Sequence, residues 1–233
     1  MQLKLARRTH AATLDTFARR VTQSRIVWTV SGTEGLSRVS SRMRRGSEVN
    51  LMWSTREEAG RWMTRFSRPR LNPITLRNMF ADVFPKLRAL NRLIGPDWSA
   101  CTPADLEFEL ADLEQRLKAE SARQFVEEAL RAGAVWVLED DMGPAFATSH
   151  AHRDALVLPC WSSQQAAEAQ CTGFWSEMMI SRIELFRFTG KTLAWLAEIG
   201  RCLAPNHSLG APVELGAREV ADLFKRPRQV GAT

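Results

Sequence analysis

Hydrophobic positions follow a helical period in two segments of the chain that lie about a hundred residues apart. Residues 11–23 and residues 119–132 each place apolar side chains three and four positions apart. These apolar positions are Leu14, Phe17, Ala18 and Val21 in the first segment, and Phe125, Ala129 and Leu130 in the second. Each segment therefore predicts a helix with one buried face.

Short runs rich in β-branched and aromatic residues follow each predicted helix, and such runs are typical of strands. A glycine-bearing turn separates the first run from the second, and the third run ends at a tryptophan. The predicted strands are 25–30, 36–40 and 49–53, and again 134–138, 144–148 and 155–161. Three strands joined by tight turns predict an antiparallel meander after each helix.

The two regions are copies of one another. A shift of 108 residues superposes Trp28 on Trp136 and Trp53 on Trp161, and a shift of 109 continues the match from Ile74 on Ile183. One inserted residue over this length keeps both tryptophan pairs in register, so we infer a tandem duplication. We expect two domains, residues 1–116 and residues 117–233, each an α+β fold with a small antiparallel sheet of about three strands packed with helices.

Trp-Ser after the third strand predicts the start of a helix in each copy. Ser54 with Glu57, and Ser162 with Gln165, match the capping-box spacing. The small residues Ala59 and Ala167 would let this helix lie close to the sheet. Trp28, Trp53, Trp136, Trp161, Ser54 and Ser162 are thus predicted structural anchors of the repeat.

The remainder of each copy is predicted to be mostly helical. Apolar residues recur at helical spacing over 75–91 and 186–199, each followed by a short extended segment and a closing helix at 103–116 or 214–225. Pro103 suits a first helical turn. Residues 104–131 contain neither Pro nor Gly, so we expect the first closing helix to continue into the second opening helix.

Net charge is +6 over 233 residues, and it is concentrated in the first copy. Residues 1–116 contain 20 Lys/Arg and 12 Asp/Glu, whereas residues 117–233 contain 12 and 14.

The 45% hydrophobic content predicts a folded protein. No apolar run approaches the length of a membrane span, and the first fifteen residues have no secretory h-region, so we expect a cytoplasmic protein with no membrane partner. The four cysteines show no CxxC spacing and are interpreted as reduced, mostly buried thiols.

The unit, with its W-S-x-x-x-x-A motif, resembles a bacterial domain family of unknown function, number 2750. The second copy is the more similar, through AVWVLEDDMG (134–143), VLPCWSS (157–163) and the ending CLAPN, PVEL and VADL; the first has SGTEG in place of EDDMG. The resemblance implies a small α+β fold and supplies no catalytic residues.

Three polar groups could carry chemistry, and we favour a structural interpretation of each. Glu139, Asp140 and Asp141 suit a cation, but their counterparts in the first copy are Ser31, Gly32 and Thr33, so they are interpreted as a turn. His150, His152 and Cys160 could ligate a metal, but no fourth ligand accompanies them. FTGKT (188–192) lacks the first glycine of a phosphate-binding loop. We expect no cofactor, no metal and no enzymatic activity.

Arginines are numerous in the first copy and suit bidentate contact with carboxylate or phosphate. The alternative is that they reflect only a general compositional preference for arginine at the surface. Trp62 and Phe66, the aromatics among them, have helical spacing and are interpreted as core residues. The predicted partner-binding residues are Arg38, Arg42, Arg44, Arg45, Arg56, Arg61 and Arg65, with Arg68 and Arg70 adjacent.

We expect a non-catalytic protein-binding module that meets an acidic partner surface, for instance an immunity-type protein that neutralises a bacterial toxin or effector. Two observations support this expectation. The loops of the two copies differ while their core residues are kept, and the copies share no polar constellation, that is, no common set of polar residues that could form a site. The alternative is a nucleic-acid-binding protein that uses the same arginines. An enzyme built from His150, His152 and the acids at 139–141 is a third, weaker hypothesis.

Overall fold

The structure is a computed structural model that describes residues 2–33, 35–99, 105–149, 151 and 155–225, with side chains from residue 11 onward. Pro103, His150 and His152 lie outside the described residues. The chain divides into two compact units, Met1–Glu120 and Ser121–Thr233. Each is mixed helix and sheet, which confirms the predicted α+β class.

The first unit begins with a long helix and alternates strands with short helices. Its elements are α1 (Gln2–Ser24), β1 (Ile26–Gly32), β2 (Gly35–Leu36), β3 (Arg38–Ser40), β4 (Glu48–Met52), α2 (Arg56–Arg61), a 3-10 turn (Met63–Arg65), β5 (Arg70–Thr75), α3 (Leu76–Asn78), a π-helical segment (Met79–Val83), α4 (Phe84–Ala89), β6 (Leu93–Pro96) and β7 (Phe108–Glu109).

The second unit repeats this order. Its elements are α5 (Leu110–Ala132), β8 (Ala134–Asp140), β9 (Gly143–Pro144), β10 (Ala147–Thr148), β11 (Leu156–Cys160), α6 (Gln164–Glu168), a 3-10 turn (Gly173–Trp175), β12 (Met179–Glu184), α7 (Leu185–Arg187), a π-helical segment (Phe188–Thr192), α8 (Leu193–Glu198), β13 (Cys202–Pro205), β14 (Leu215–Gly216) and α9 (Ala217–Lys225).

Helix α5 runs without interruption from Leu110 to Ala132 and so crosses the boundary between the units. This confirms the expected continuity of the closing and opening helices. Its first half buries Leu113 and Leu117, and its second half buries Phe125 and Ala129.

Each unit contains two sheets, so the predicted single meander is wrong. In the first unit an antiparallel sheet has the order β2-β1-β5, and a mixed sheet has the order β3-β4-β6-β7. The chain changes sheets at Ser37, whose N–H donates to Val30 O at 2.7 Å while its C=O accepts from Leu51 N–H at 3.1 Å. Ala145 takes the place of Ser37 in the second unit and donates to Leu138 O.

A parallel pair forms the centre of each mixed sheet, and the meander prediction did not contain it. Strand β4 pairs with β6 from Val49↔Leu93 to Met52↔Pro96, and β11 pairs with β13 in the same way. The connection between parallel strands runs through α2, β5 and α4, as such crossovers require a long segment. No helix among the described residues is long and apolar enough to cross a membrane.

Candidate protein-binding surface

The repeated tryptophans join the two sheets of each unit. Trp28 and Trp53 exchange backbone hydrogen bonds, each N–H donating to the other's C=O at 2.8 Å, and Trp136 and Trp161 do the same. Both second tryptophans are fully buried. Their indole N–H groups donate to the backbone C=O of Trp98 at 3.0 Å and of His207 at 3.1 Å.

The capping-box prediction is wrong by one residue. Helix α2 is capped by Thr55, whose hydroxyl accepts from Glu58 N–H at 3.3 Å, and α6 is capped by Ser163. Ser54 instead donates its hydroxyl to Asp97 at 2.9 Å, and its N–H donates to the same carboxylate at 2.6 Å. The repeated serine therefore holds the loop after β6, a segment more than forty residues further along the chain.

In the second unit, Ser162 makes the same contact with different partners. Its N–H and hydroxyl lie 3.1 Å from Asn206 Oδ1, and the hydroxyl also donates to Glu128. Glu128 is the counterpart of Arg20, which lies 3.8 Å from Asp97 in the first unit. At these helix and loop positions the first copy has Arg20 and Asp97, whereas the second copy has Glu128 and Asn206.

Asp97 carries a titratable carboxyl group in a mostly buried position. Its side chain is only 15% exposed. Burial raises the pKa of this carboxyl to about 6, against the lowering effect of the two hydrogen bonds from Ser54. The backbone here has φ of +50°, and Asn206 has φ of +47°, a region that Asp and Asn tolerate better than most residues.

A second repeated contact joins the loop after β3 or β10 to the segment before the closing helix. The Ser41 hydroxyl donates to Glu107 at 2.6 Å, and the Ser149 hydroxyl donates to Glu214 at 2.5 Å. With the Ser54 and Ser162 contacts, this overturns the expectation that the copies share no polar constellation. The expectation failed because each contact joins residues at least 34 positions apart.

Three of the predicted partner-binding arginines are occupied within their own unit. Arg38 pairs with Glu48 at 2.9 Å. Arg44 pairs with Glu109 at 2.5 Å. Arg42 lies 3.6 Å from Glu107 and donates to the Asp105 C=O at 2.6 Å, with its guanidinium 5.0 Å from the Trp98 ring centroid.

Arg42 has a structural role because it helps to compensate the buried charge of Glu107. The Glu107 side chain is 2% exposed, and burial alone would raise its pKa. Hydrogen bonds from the Ser41 hydroxyl and from the N–H groups of Arg42 and Met43, together with the Arg42 charge, outweigh burial and hold the pKa below its ordinary value. Replacing Arg42 would leave a buried carboxylate with less compensation.

The remaining arginines do not form one surface. Arg45 lies in the β3–β4 loop, whereas Arg56 and Arg61 lie on α2, which follows the opposite end of β4. Five extended residues separate these ends, a length of about 17 Å. The predicted seven-residue patch is therefore divided.

The larger group of exposed arginines surrounds α2 and the start of β5. We call it the arginine surface, and it comprises Arg56, Arg61, Arg65, Arg68 and Arg70. Arg65 lies with its guanidinium 4.6 Å from the centroid of Trp62, which is itself buried as predicted and stacks on Phe66. Arg56, Arg61, Arg68 and Arg70 form no ion pair with any described residue.

The second unit is not basic at the corresponding positions. Gln164 begins α6 as Arg56 begins α2, and Met179 begins β12 as Arg70 begins β5. Glu177 stands two residues before β12, as Arg68 stands before β5. The arginine surface is therefore specific to the first unit, although the helix and strand that carry it are repeated.

The other candidate groups are not assembled into a site among the residues described. Asp140 and Asp141 are exposed at the β8–β9 turn, where Asp140 accepts from Met142 N–H at 2.8 Å. Cys160 is buried, and burial strongly raises its thiol pKa; Cys160, Cys171 and Cys202 are all unbridged. FTGKT forms the π-helical segment with Phe188 buried. No cluster of three His, Cys, Asp or Glu with metal-binding geometry occurs within the described ranges.

Comparison with solved structures finds distant likenesses. Anabaena Tic22, described as a protein of protein transport, is 12% identical with a TM-score of 0.25, over 91% of this chain and 98% of that one. Tic22 from Plasmodium falciparum is 9% identical with a TM-score of 0.23, over 70% and 81%. Scores of this size do not establish a shared fold.

No curated protein matches the sequence. The model of a family described as a protein of unknown function, DUF2750, matches twice, over residues 14–117 and 122–220. These two matches agree with the tandem duplication, with the continuous helix that joins the copies, and with the repeated tryptophan bridges. The chain belongs to the DUF2750 family and contains two tandem copies of its domain.

Proposed function

We propose that this chain is a non-catalytic, cytoplasmic protein-binding module whose arginine surface contacts an acidic region of a partner protein. The observation that carries the proposal is the set Arg56, Arg61, Arg68 and Arg70. These side chains are exposed, form no ion pair with described residues, and have non-basic counterparts in the second unit. Such a surface is suited to bind and cover the active surface of a bacterial toxin or effector, as immunity proteins do.

The chemistry of the surface favours carboxylate ligands. A guanidinium offers parallel N–H donors that match the two oxygens of a carboxylate. Residues 56–70 contain five arginines against Glu57 and Glu58, a net charge of +3, and this positive excess accelerates encounter with an acidic surface.

The test is capture of partners from a lysate of the source cell, with and without nuclease. The variant R56E/R61E/R70E reverses three charges of the arginine surface. Its control, R131E/R187E/R218E, makes the same change in net charge at exposed arginines of the second unit. We expect the wild type and the control to capture one acidic protein in both lysates, and the first variant to bind it at least tenfold more weakly.

Equal binding by the first variant and the wild type would contradict the proposal. Capture that disappears with nuclease would instead assign the arginines to phosphate contacts, and a linear fall of log affinity with log salt would then identify nucleic-acid binding. Circular dichroism melting of both variants checks that neither reversal unfolds the chain.

A further inference from the structure

Strand β12 lies at the edge of its sheet. The order is β12-β8-β9, and no other described strand pairs with β12. The Leu185 N–H donates to Gly133 C=O at 2.9 Å, which fixes the hydrogen-bonding register with β8. In this register Ser181 and Ile183 direct their backbone groups to β8, whereas Ile180, Arg182 and Glu184 direct theirs away from the sheet.

The equivalent edge in the first unit is blocked by a proline. Strand β5 occupies the same position in its sheet, and Pro73 lies opposite Trp28 as Arg182 lies opposite Trp136. Pro73 therefore occupies an outward-facing position and has no N–H to donate. Proline on an edge strand is a common device against pairing with another chain. The second unit lacks this protection.

The residues around the open edge are acidic and apolar. Phe174 and Met179 are 92% and 59% exposed, and they lie just before β12 and at its first residue. Glu177 lies between them, and Glu139 is the β8 partner of Met179. Neither of these carboxylates forms an ion pair with a described residue, while Arg182 pairs with Glu184 of its own strand.

We propose that the free edge of β12 binds an extended, lysine- or arginine-bearing segment of a partner protein as an additional strand. The outward N–H and C=O groups of Ile180, Arg182 and Glu184 supply the backbone hydrogen bonds. Glu139 and Glu177 select basic residues near the start of β12, and Phe174 and Met179 contact apolar residues of the segment. This surface lies in the second unit and does not depend on the arginine surface.

Amide hydrogen exchange on the full chain, followed by NMR, tests the edge directly. In the free chain we expect the Ile180, Arg182 and Glu184 amides to exchange at least a hundredfold faster than those of Ser181 and Ile183, which bond to β8. The probe is a capped peptide of alternating lysine and valine, with an alternating glutamate and valine peptide as control. The basic peptide should slow exchange at the three outward amides, and the acidic peptide should not.

Two substitutions of Arg182 distinguish the contribution of its backbone N–H to peptide binding from the contribution of its side chain. R182P introduces the residue that the first unit has at this place, and R182A removes the side chain but keeps the N–H. We expect R182P to weaken binding of the basic peptide at least tenfold and R182A to change it less than threefold. Slow exchange of Ser181 and Ile183 in R182P would show that β12 still pairs with β8.

Several results would overturn the proposal: no binding of the basic peptide at millimolar concentration, equal binding of the acidic peptide, or unchanged binding by R182P. Protection of the outward amides in the free chain, together with a dimeric mass in light scattering, would assign the edge to a second copy of this chain instead. None of these results bears on the reversal of Arg56, Arg61 and Arg70.

Discussion

At the scale of single residues, the loop after β6 or β13 shows how one fold accommodates different charges. Asp97 and Asn206 have the same positive φ and accept from equivalent serines, Ser54 and Ser162. Only Asp97 must hold a negative charge in a mostly buried place. Asn206 accepts from the Ser162 N–H without that penalty, and its amide donates to Glu128, which stands in place of Arg20.

We expect Asp97→Asn to stabilise the chain at pH 7. The folded pKa of about 6 lies above the ordinary value of 3.8, so the folded state retains its proton more readily than the unfolded state. The stability that Asp97 contributes is therefore present below about pH 4 and is lost as pH rises to 6. The difference corresponds to about 3 kcal/mol at most, and we expect a gain of about 1–3 kcal/mol at pH 7 and little or none at pH 4.

Urea unfolding of wild type and Asp97→Asn at both pH values measures this difference. The reciprocal control is Asn206→Asp, which places a second carboxylate beside Glu128 and should destabilise the chain more at pH 7 than at pH 4. A gain from Asp97→Asn that is the same at both pH values would show that the ionised carboxylate is not the cause.

The sequence identified Ser54 and Ser162 as repeated anchors but assigned them the wrong partner. A hydroxyl three residues before Glu or Gln suggests a local cap, and that pattern contains nothing about Asp97 or Asn206. Arg42 shows the same limit, because its partner Glu107 is 65 residues away. Local spacing predicts local hydrogen bonds, whereas these are made by tertiary contact.

At the scale of elements, α2 packs closely on its sheet through one small residue. Ala59 is fully buried in the cluster that contains Trp53, Trp62 and Val30, and its counterpart Ala167 is buried against Trp161. The next residue, Gly60, is different, because a Cβ there would meet no atom within 4 Å.

Adjacent substitutions in α2 should therefore act in opposite directions. Ala59→Leu forces extra methylenes into a filled space and should cost about 1–3 kcal/mol. Gly60→Ala adds a methyl in open space and reduces the freedom of the unfolded chain, so it should stabilise by about 0.5–1 kcal/mol. Thermal unfolding of the two variants checks both signs, and a stable Ala59→Leu chain would show that α2 can move away from the sheet.

The repeated helices and first strands were predictable because their apolar period is local. The sheet arrangement was not. Strands β5 and β12 contain only exposed and half-buried residues, and their place beside β1 and β8 depends on partners 39 to 50 positions away. The parallel pairing of β4 with β6 joins residues 44 positions apart, such as Val49 and Leu93, across a connection that contains helices and another strand.

At the scale of the whole molecule, α5 supplies core residues to both units. Its second half contributes Phe125, Val126 and Ala129 to the cluster that also contains Val135, Leu158 and Leu203. Phe125 lies 6.5 Å from Phe224 of α9, centroid to centroid. The second unit therefore needs this half of the helix to complete its core.

We expect residues 117–233 to fold as an isolated fragment and residues 134–233, which lack the helix, to remain unfolded. Loss of the helix with its three buried side chains costs free energy comparable to the whole stability of a domain, which is roughly 5–15 kcal/mol. Dispersed NMR signals and a cooperative melt should distinguish the fragments. A cooperative melt of the shorter fragment would contradict the assigned role of α5.

The amino-acid pattern is enough to show a duplicated α+β protein, the residues that correspond between the copies, and the one helix that joins them. Self-similarity and hydrophobic period are properties of neighbouring positions, so they are visible without coordinates. The folded arrangement is needed to show which arginines are neutralised by Glu48, Glu107 and Glu109, which partners the repeated serines hold, and which strand edge is open. These depend on contacts between distant segments, where burial and charge are set by what the fold brings together.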